Sequence, residues 1–287
     1  MSFFQEHNSA LLFRCSTEVD DAERLTAFFV DKGVHVGNIV RYVDQGNAII
    51  RVEWGVANNW ENREACIASL NDFFVSSDDN TDYQLKFAGD VPSVGLFCSE
   101  YTHVLSDTLN RIDADYFPSF TVPFICSDHE AVGHLADRYG IPFFLIPLSA
   151  SAQEQQRSQL ELIERYSPDI LALARYDARL SQDVVDQASC TIVSIHNSFL
   201  PSVRSEKAYS LAYEQGHKLI GASSRLLLEG GIEPIVTQDV AVLGPGDSAD
   251  CFVRAGQNVE RKVFIDALRK LVEHKVMVYN ARTMVFD

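Results

Sequence analysis

Positive charge is scarce in this chain of 287 residues, with 24 lysines and arginines against 40 aspartates and glutamates, a formal balance of −16. No basic face is available to release counterions from a phosphate backbone, so neither a nucleic acid nor an anionic membrane is expected as a partner. The acidic excess itself serves solubility and names no cationic ligand. Long apolar runs are also missing: no stretch approaches the roughly 20 residues that cross a bilayer. Met1 to Ala10 has no cationic start followed by an apolar segment, so no targeting leader is read there. The six cysteines, at 15, 66, 98, 126, 190 and 251, form no CxxC pair and have no histidine at zinc-ligand spacing. They read as buried free thiols of a reduced, cytoplasmic protein with no metal.

What is present is ordinary globular material, 46% hydrophobic and 22% charged, in a length that gives roughly two domains of about 150 residues. The run ALLFR at 10–14 reads as a strand, and 20–30 carries apolar residues at helical spacing, stopped by Lys32-Gly33. Ile39 to Val43, a turn at Gln45-Gly46-Asn47, and Ala48 to Trp54 predict a hairpin. A helical pattern over 60–75 and a strand at 83–87 complete the order βαββαβ, a small ferredoxin-like domain over residues 1–89. From residue 90 onward strands and helices alternate: strands at 93–98, 120–126, 143–146, 170–174 and 190–195, with helices at 105–111, 131–139, 153–166 and 181–188 between them. Strands at 218–224 and 234–241, a helix over 247–273 and a last strand at 276–279 follow. The fold class is therefore α/β, with residues 90–287 forming a doubly wound, mostly parallel sheet.

In such sheets ligands bind outside the carboxyl ends of the strands. The segment Thr191 to Pro201, TIVSIHNSFLP, runs an apolar strand straight into Ser194, His196, Asn197 and Ser198. An imidazole and small polar groups there serve chemistry in a cleft, or else His196 bonds a backbone carbonyl while Asn197 and Ser198 satisfy a turn. His103 and Asp107 stand four apart, so on a helix they share one face, either orienting each other or forming a cap or surface pair. His129, beside Asp128, lines the cleft or closes a turn. Gly244-Pro245-Gly246 lacks the spacing of a phosphate cradle.

SIHNSFLP is similar to the NIHHSFLP signature of the 10-formyltetrahydrofolate deformylases, and the likeness extends over nearly the whole chain. Cys98, Ser99, His103 and Asp107 match that family's serine, histidine and aspartate after the first strand of its second domain. Ser127-Asp128-His129 resembles its SNH turn and Gly140-Ile141-Pro142-Phe143 its GIPF. Leu173-Ala174-Arg175-Tyr176, Ala212-Tyr213-Glu214, Gln238-Asp239-Val240, Arg254-Ala255-Gly256 and Arg282-Thr283 then follow in family order. The resemblance implies an N-terminal ACT domain, a formyltransferase-type second domain, and 10-formyltetrahydrofolate as substrate with no tightly bound cofactor. It also implies a folate-type small molecule as partner and an effector at the ACT domain; a homo-oligomer is expected because small ferredoxin-like domains expose sheet edges and a helical face that pair readily.

The family acts through an asparagine, a histidine and an aspartate. By resemblance His196 is the histidine, Ser194 stands at the asparagine, and counting back from Pro234 puts Gly231 at the aspartate. Glu229 or Glu233 then supplies the carboxylate, or both are solvated loop residues. Arg225 replaces a family histidine, and Asp177 stands where a methionine borders the pterin pocket. Asp20 takes the place of the effector-loop glycine. Tyr176, Asp177, Asn197, Ser198, His103, Asp107 and Arg225 are the expected substrate-binding residues. Three functions stay open: hydrolysis of 10-formyltetrahydrofolate to tetrahydrofolate and formate, formyl transfer with a changed substrate or acceptor in specialised metabolism, and a catalytically silent binding or regulatory homologue.

Overall fold

A computed structural model describes residues 8–16, 21–55, 63–75, 83–117, 119–176, 178, 180–197, 208–244 and 246–287. The chain divides into two compact units. The first contains the residues up to Asp90 together with Glu273–Met277 and Met284–Asp287; the second contains Val91–Val272 and Val278–Thr283. The division falls between Asp90 and Val91, and two C-terminal stretches return to the first unit.

The first unit runs β1 (Asn8–Ser16), α1 (Asp21–Asp31), β2 (Val36–Asp44), β3 (Asn47–Gly55), α2 (Arg63–Val75) and β4 (Tyr83–Lys86). Its sheet has the order β2-β3-β1-β4 with every pairing antiparallel, which is the ferredoxin-like arrangement. Gln45 and Gly46 both take positive φ, 47° and 80°. That backbone matches the twist of β2 and β3 and closes the hairpin at Asp44 and Asn47. Phe13, Phe29, Trp54 and Phe74 fill the core with Leu25 and Leu70.

Arg51, only 5% exposed, is the anchor of the returning stretch. Its Nε donates to the His274 carbonyl at 3.1 Å, its Nη2 to the Glu273 carbonyl at 3.2 Å, and its Nη1 pairs with Glu53. No hydropathy pattern reveals a contact between residues more than 200 positions apart.

The second unit runs β5 (Val94–Cys98), α3 (His103–Asp113), β6 (Ile125–Ser127), a 3-10 turn (Glu130–Val132), α4 (Gly133–Arg138), β7 (Phe143–Leu145), α5 (Ala152–Tyr166), β8 (Ile170–Leu173), α6 (Gln182–Gln187) and β9 (Thr191–His196). It continues with α7 (Ala208–Glu214), β10 (Leu219–Leu227), a 3-10 turn (Glu229–Gly231), β11 (Ile235–Val242) and α8 (Ala249–Val272), and the chain closes on the paired strands β12 (Val276–Tyr279) and β13 (Arg282–Val285). The sheet order is β11-β10-β9-β8-β5-β6-β7, parallel from β5 to β9 and antiparallel at β10 and β11. β5 and β8 are buried at every residue, as expected of central parallel strands covered on both faces.

The strand expected over 120–126 shrinks to Ile125–Ser127. Pro123 cannot donate to a ladder, and Thr121 reaches the sheet only as an isolated bridge to Ser93. The helix expected over 131–139 is a 3-10 turn followed by one short helix. Helix α7 was not expected. Four cysteines are buried; Cys190 and Cys251 are half-buried, and no disulfide joins any of the six.

Replacing Arg51 by Met is expected to leave the carbonyls of Glu273 and His274 unsatisfied. Unfolding free energy, read from urea titration, should drop by roughly 1–3 kcal/mol. Amide exchange should accelerate at residues 273–277.

Candidate active site

The carboxyl ends of β5, β6, β8 and β9 line one edge of the sheet, and the polar residues gather there. Alternation decides which face each takes. Ile192 and Leu227 are cross-strand partners and belong to the apolar layer of Leu162, Ile163, Val184 and Val185 from α5 and α6. Two residues along, Ser194 lies opposite Arg225, and two further, His196 lies opposite Ser223. These four side chains therefore continue the α5–α6 face to the edge. Ile220, on the alternate face of β10, packs instead with Tyr209 of α7 and Phe252 of α8.

Glu233 reaches this face from the loop between β10 and β11. That loop turns through Gly230 and Gly231 with φ of 71° and 76°, a backbone that residues with a Cβ rarely take. Leu226 N–H bonds the Pro234 carbonyl at 3.0 Å and Leu228 N–H the Ile232 carbonyl at 2.9 Å, which brings Glu233 back over the strands. Its Oε2 lies 4.0 Å from His196 Nε2 and 3.4 Å from Arg225 Nη1. Arg225 Nε donates to Ser223 Oγ at 3.1 Å. The His196 side chain is 22% exposed and that of Arg225 only 3%. An imidazole beside a carboxylate can accept a proton and have its cationic form stabilised, while the guanidinium offers fixed donors. Glu229, on the 3-10 turn, is exposed.

The opposite face holds a second polar cluster centred on Glu260 of α8, which is 1% exposed. His103 Nε2 lies 2.6 Å from Oε2, Tyr209 OH donates to Oε1 at 2.8 Å, and Arg175 Nη1 is 3.8 Å from Oε1. Tyr209 comes this close because Gly256, one turn before Glu260, has no side chain: a Cβ there would sit 2.3 Å from the tyrosine ring. Burial, and then the Glu260 charge, hold the Tyr209 hydroxyl far above its usual range, so it stays a donor. Arg175 adopts φ 63° just after β8, stacks over Tyr101 at 5.2 Å, and accepts Ser99 N–H on its carbonyl at 2.9 Å. At the end of β6, the buried Asp128 accepts from Ser99 Oγ at 2.6 Å and meets His129 Nδ1 at 2.6 Å.

Several expected substrate-binding residues fall elsewhere. Asp107 does not orient His103: its Oδ2 accepts from Arg111 Nε at 2.9 Å, and it lines a groove of about 330 Å³ between α3 and α8. The partner of His103 is Glu260, invisible to local spacing because it lies 157 positions away. Tyr176 is 7% exposed; its ring packs edge-on to Phe97 and its hydroxyl accepts from Gln159 Nε2 at 3.1 Å. Burial raises that phenol strongly. Asn197, half-buried, directly follows β9, whereas Asp177, Ser198 and Asp20 lie outside the described residues.

Residues 94–268 match the family model described as formyl transferase. The whole chain is similar to the formyltetrahydrofolate deformylase of Synechocystis sp., 28% identical over 288 residues that cover 98% of this chain and 99% of the relative. The enzyme of that name from Bacillus subtilis is 29% identical over 290 residues, covering 98% and 95%. The crystal structure of a formyltetrahydrofolate deformylase from Pseudomonas syringae superposes with a TM-score of 0.92 over 99% of this chain and 96% of that one; at 24% identity it speaks for the fold.

Replacing Glu260 by Ala is expected to strand His103, Tyr209 and Arg175 without their shared acceptor. The thermal or urea transition should report a loss of roughly 3–5 kcal/mol.

Proposed function

The chain belongs to the formyl transferase family, and from that premise we propose that it hydrolyses 10-formyltetrahydrofolate to tetrahydrofolate and formate. The observation that carries this reading is the His196 imidazole at the carboxyl end of β9 with the Glu233 carboxylate 4.0 Å from it. The shared name of relatives matched over nearly their whole length supports the substrate.

The chemistry follows from the site. Water attacks the formyl carbon and builds negative charge on its oxygen. His196 Nε2 takes the proton that water sheds and returns it to the departing nitrogen, so it serves as base and then as acid. Glu233 stabilises the intervening imidazolium and, because it contacts Arg225 as well, holds two cationic groups against one carboxylate oxygen. Glu233, rather than the exposed Glu229, takes the carboxylate role on this reading. Ser194 lines the site opposite Arg225, and Asn197 follows His196 in the chain. His103 acts through Glu260 and Asp107 through Arg111, so neither is assigned a direct hold on the folate.

The same reading makes the ferredoxin-like unit an ACT-type module that takes a small-molecule effector. A homo-oligomer is favoured by the edge strand β2, where Tyr42 and Val43 are exposed. No described helix is long and apolar enough to cross a membrane. Six cysteines without a disulfide agree with the cytoplasm as its compartment.

Formate release from 10-formyltetrahydrofolate tests the proposal. Replacing His196 by Ala, or Glu233 by Gln, should lower kcat by about 10²–10⁴-fold, whereas Glu229→Gln should stay near the parent. Equal rates for parent and His196→Ala would refute the assignment.

A further inference from the structure

We propose that Arg225 is an oxyanion donor of this site, its guanidinium placed so that Nη2–H meets the formyl oxygen as negative charge develops there. This rests on the deformylase reading and adds a reacting-atom contact to it.

Three observations carry the assignment. The first is direction. Arg225 pairs across the strands with Ser194, and its Nε bonds Ser223, the residue opposite His196. The guanidinium thus leans along β10 from the level of Ser194 to the level of the imidazole.

The second is an unused hydrogen-bond donor. Nε is engaged by Ser223 and Nη1 faces Glu233, but Nη2 is buried and makes no hydrogen bond among the described residues. Leaving a buried donor unpaired is costly, and more so for a charged group. An oxygen supplied by a ligand relieves it.

The third is convergence. Arg225 Nη1 and His196 Nε2 contact the same oxygen of Glu233. The donor and the proton carrier are therefore held about one carboxylate, on one face of the sheet, and Arg225 is almost wholly withdrawn from water.

A water oxygen bonds to the formyl carbon, the carbonyl π pair moves onto the formyl oxygen beside Nη2, and one water proton passes to His196 Nε2. Collapse restores the carbonyl, breaks the bond between that carbon and the folate nitrogen, and returns the proton to the nitrogen. The products are tetrahydrofolate and formic acid, which ionises to formate. Arginine transfers no proton, because its guanidinium stays charged throughout; it contributes fixed donors in a dry setting.

The test compares formate release by the full-length parent, His196→Ala, Arg225→Met and Arg225→Lys, with melting curves for each, and repeats Arg225→Met with added guanidinium chloride at non-denaturing concentration. The expected result is a loss of about 10²–10³-fold in kcat for Arg225→Met, with KM changed by less than about threefold. Arg225→Lys should keep an intermediate rate, and free guanidinium should raise Arg225→Met but not His196→Ala. If Arg225→Met melts early, Arg225→Lys decides: a fallen kcat with parent-like melting supports the assignment, and a parent-like kcat overturns it. If the parent releases formate and His196→Ala does not, yet Arg225→Met keeps its kcat or loses only in KM, the arginine assignment alone falls. A parent that releases no formate overturns both readings.

Discussion

The candidate site depends on the antiparallel register between β9 and β10. β9 is the last of the parallel strands, and β10 turns back along it so that Ser194 meets Arg225 and His196 meets Ser223. Because side chains alternate strictly along a strand, a slip of one residue would send His196 to one face and Arg225 to the other. The apolar pair Ile192 and Leu227, locked under α5 and α6, resists that slip. Core packing thereby sets the geometry of the polar groups two and four residues farther along.

Two polar clusters flank the sheet edge, and their environments suit different tasks. Glu260 is sealed from solvent and shared among an imidazole, a phenol and a guanidinium, which ties α3, α7, α8 and the end of β8 to a single carboxylate. Such a group is costly to strip of any partner and so specifies how these elements meet. Glu233 is a quarter exposed and stands off from His196 at ion-pair distance. It can follow changes of charge on the ring, while the Glu260 cluster on the opposite face holds the surrounding elements together.

The architecture was legible because its signals are local. Continuous apolar runs such as those of β5 and β8 announce buried parallel strands, and Gln45-Gly46 announces a hairpin. His196 was equally legible, as a polar residue closing an apolar strand. What local spacing does not convey are side-chain partners remote in sequence. Spacing left His103 and Asp107 either orienting each other or forming a cap or surface pair; Asp107 pairs with Arg111 one turn on, and His103 meets a glutamate on α8. Tyr176, expected by resemblance at the substrate, packs against Phe97 and is bonded by Gln159, contacts that residue type alone does not convey. The choice between Glu229 and Glu233 depended on two left-handed glycines whose effect on the chain path no alignment of residue types conveys. Arg51 bonds residues more than 200 positions away, within a first unit that includes C-terminal stretches.

The central claim is that water, activated at His196, takes the formyl group. Single-turnover reaction of 10-formyltetrahydrofolate in H2-18O, with mass analysis of the formate, addresses it directly. Formate carrying one labelled oxygen, formed by the parent chain and lost with His196, is the predicted result. Formyl carbon recovered on an amine, or formate appearing equally without the imidazole, would contradict it.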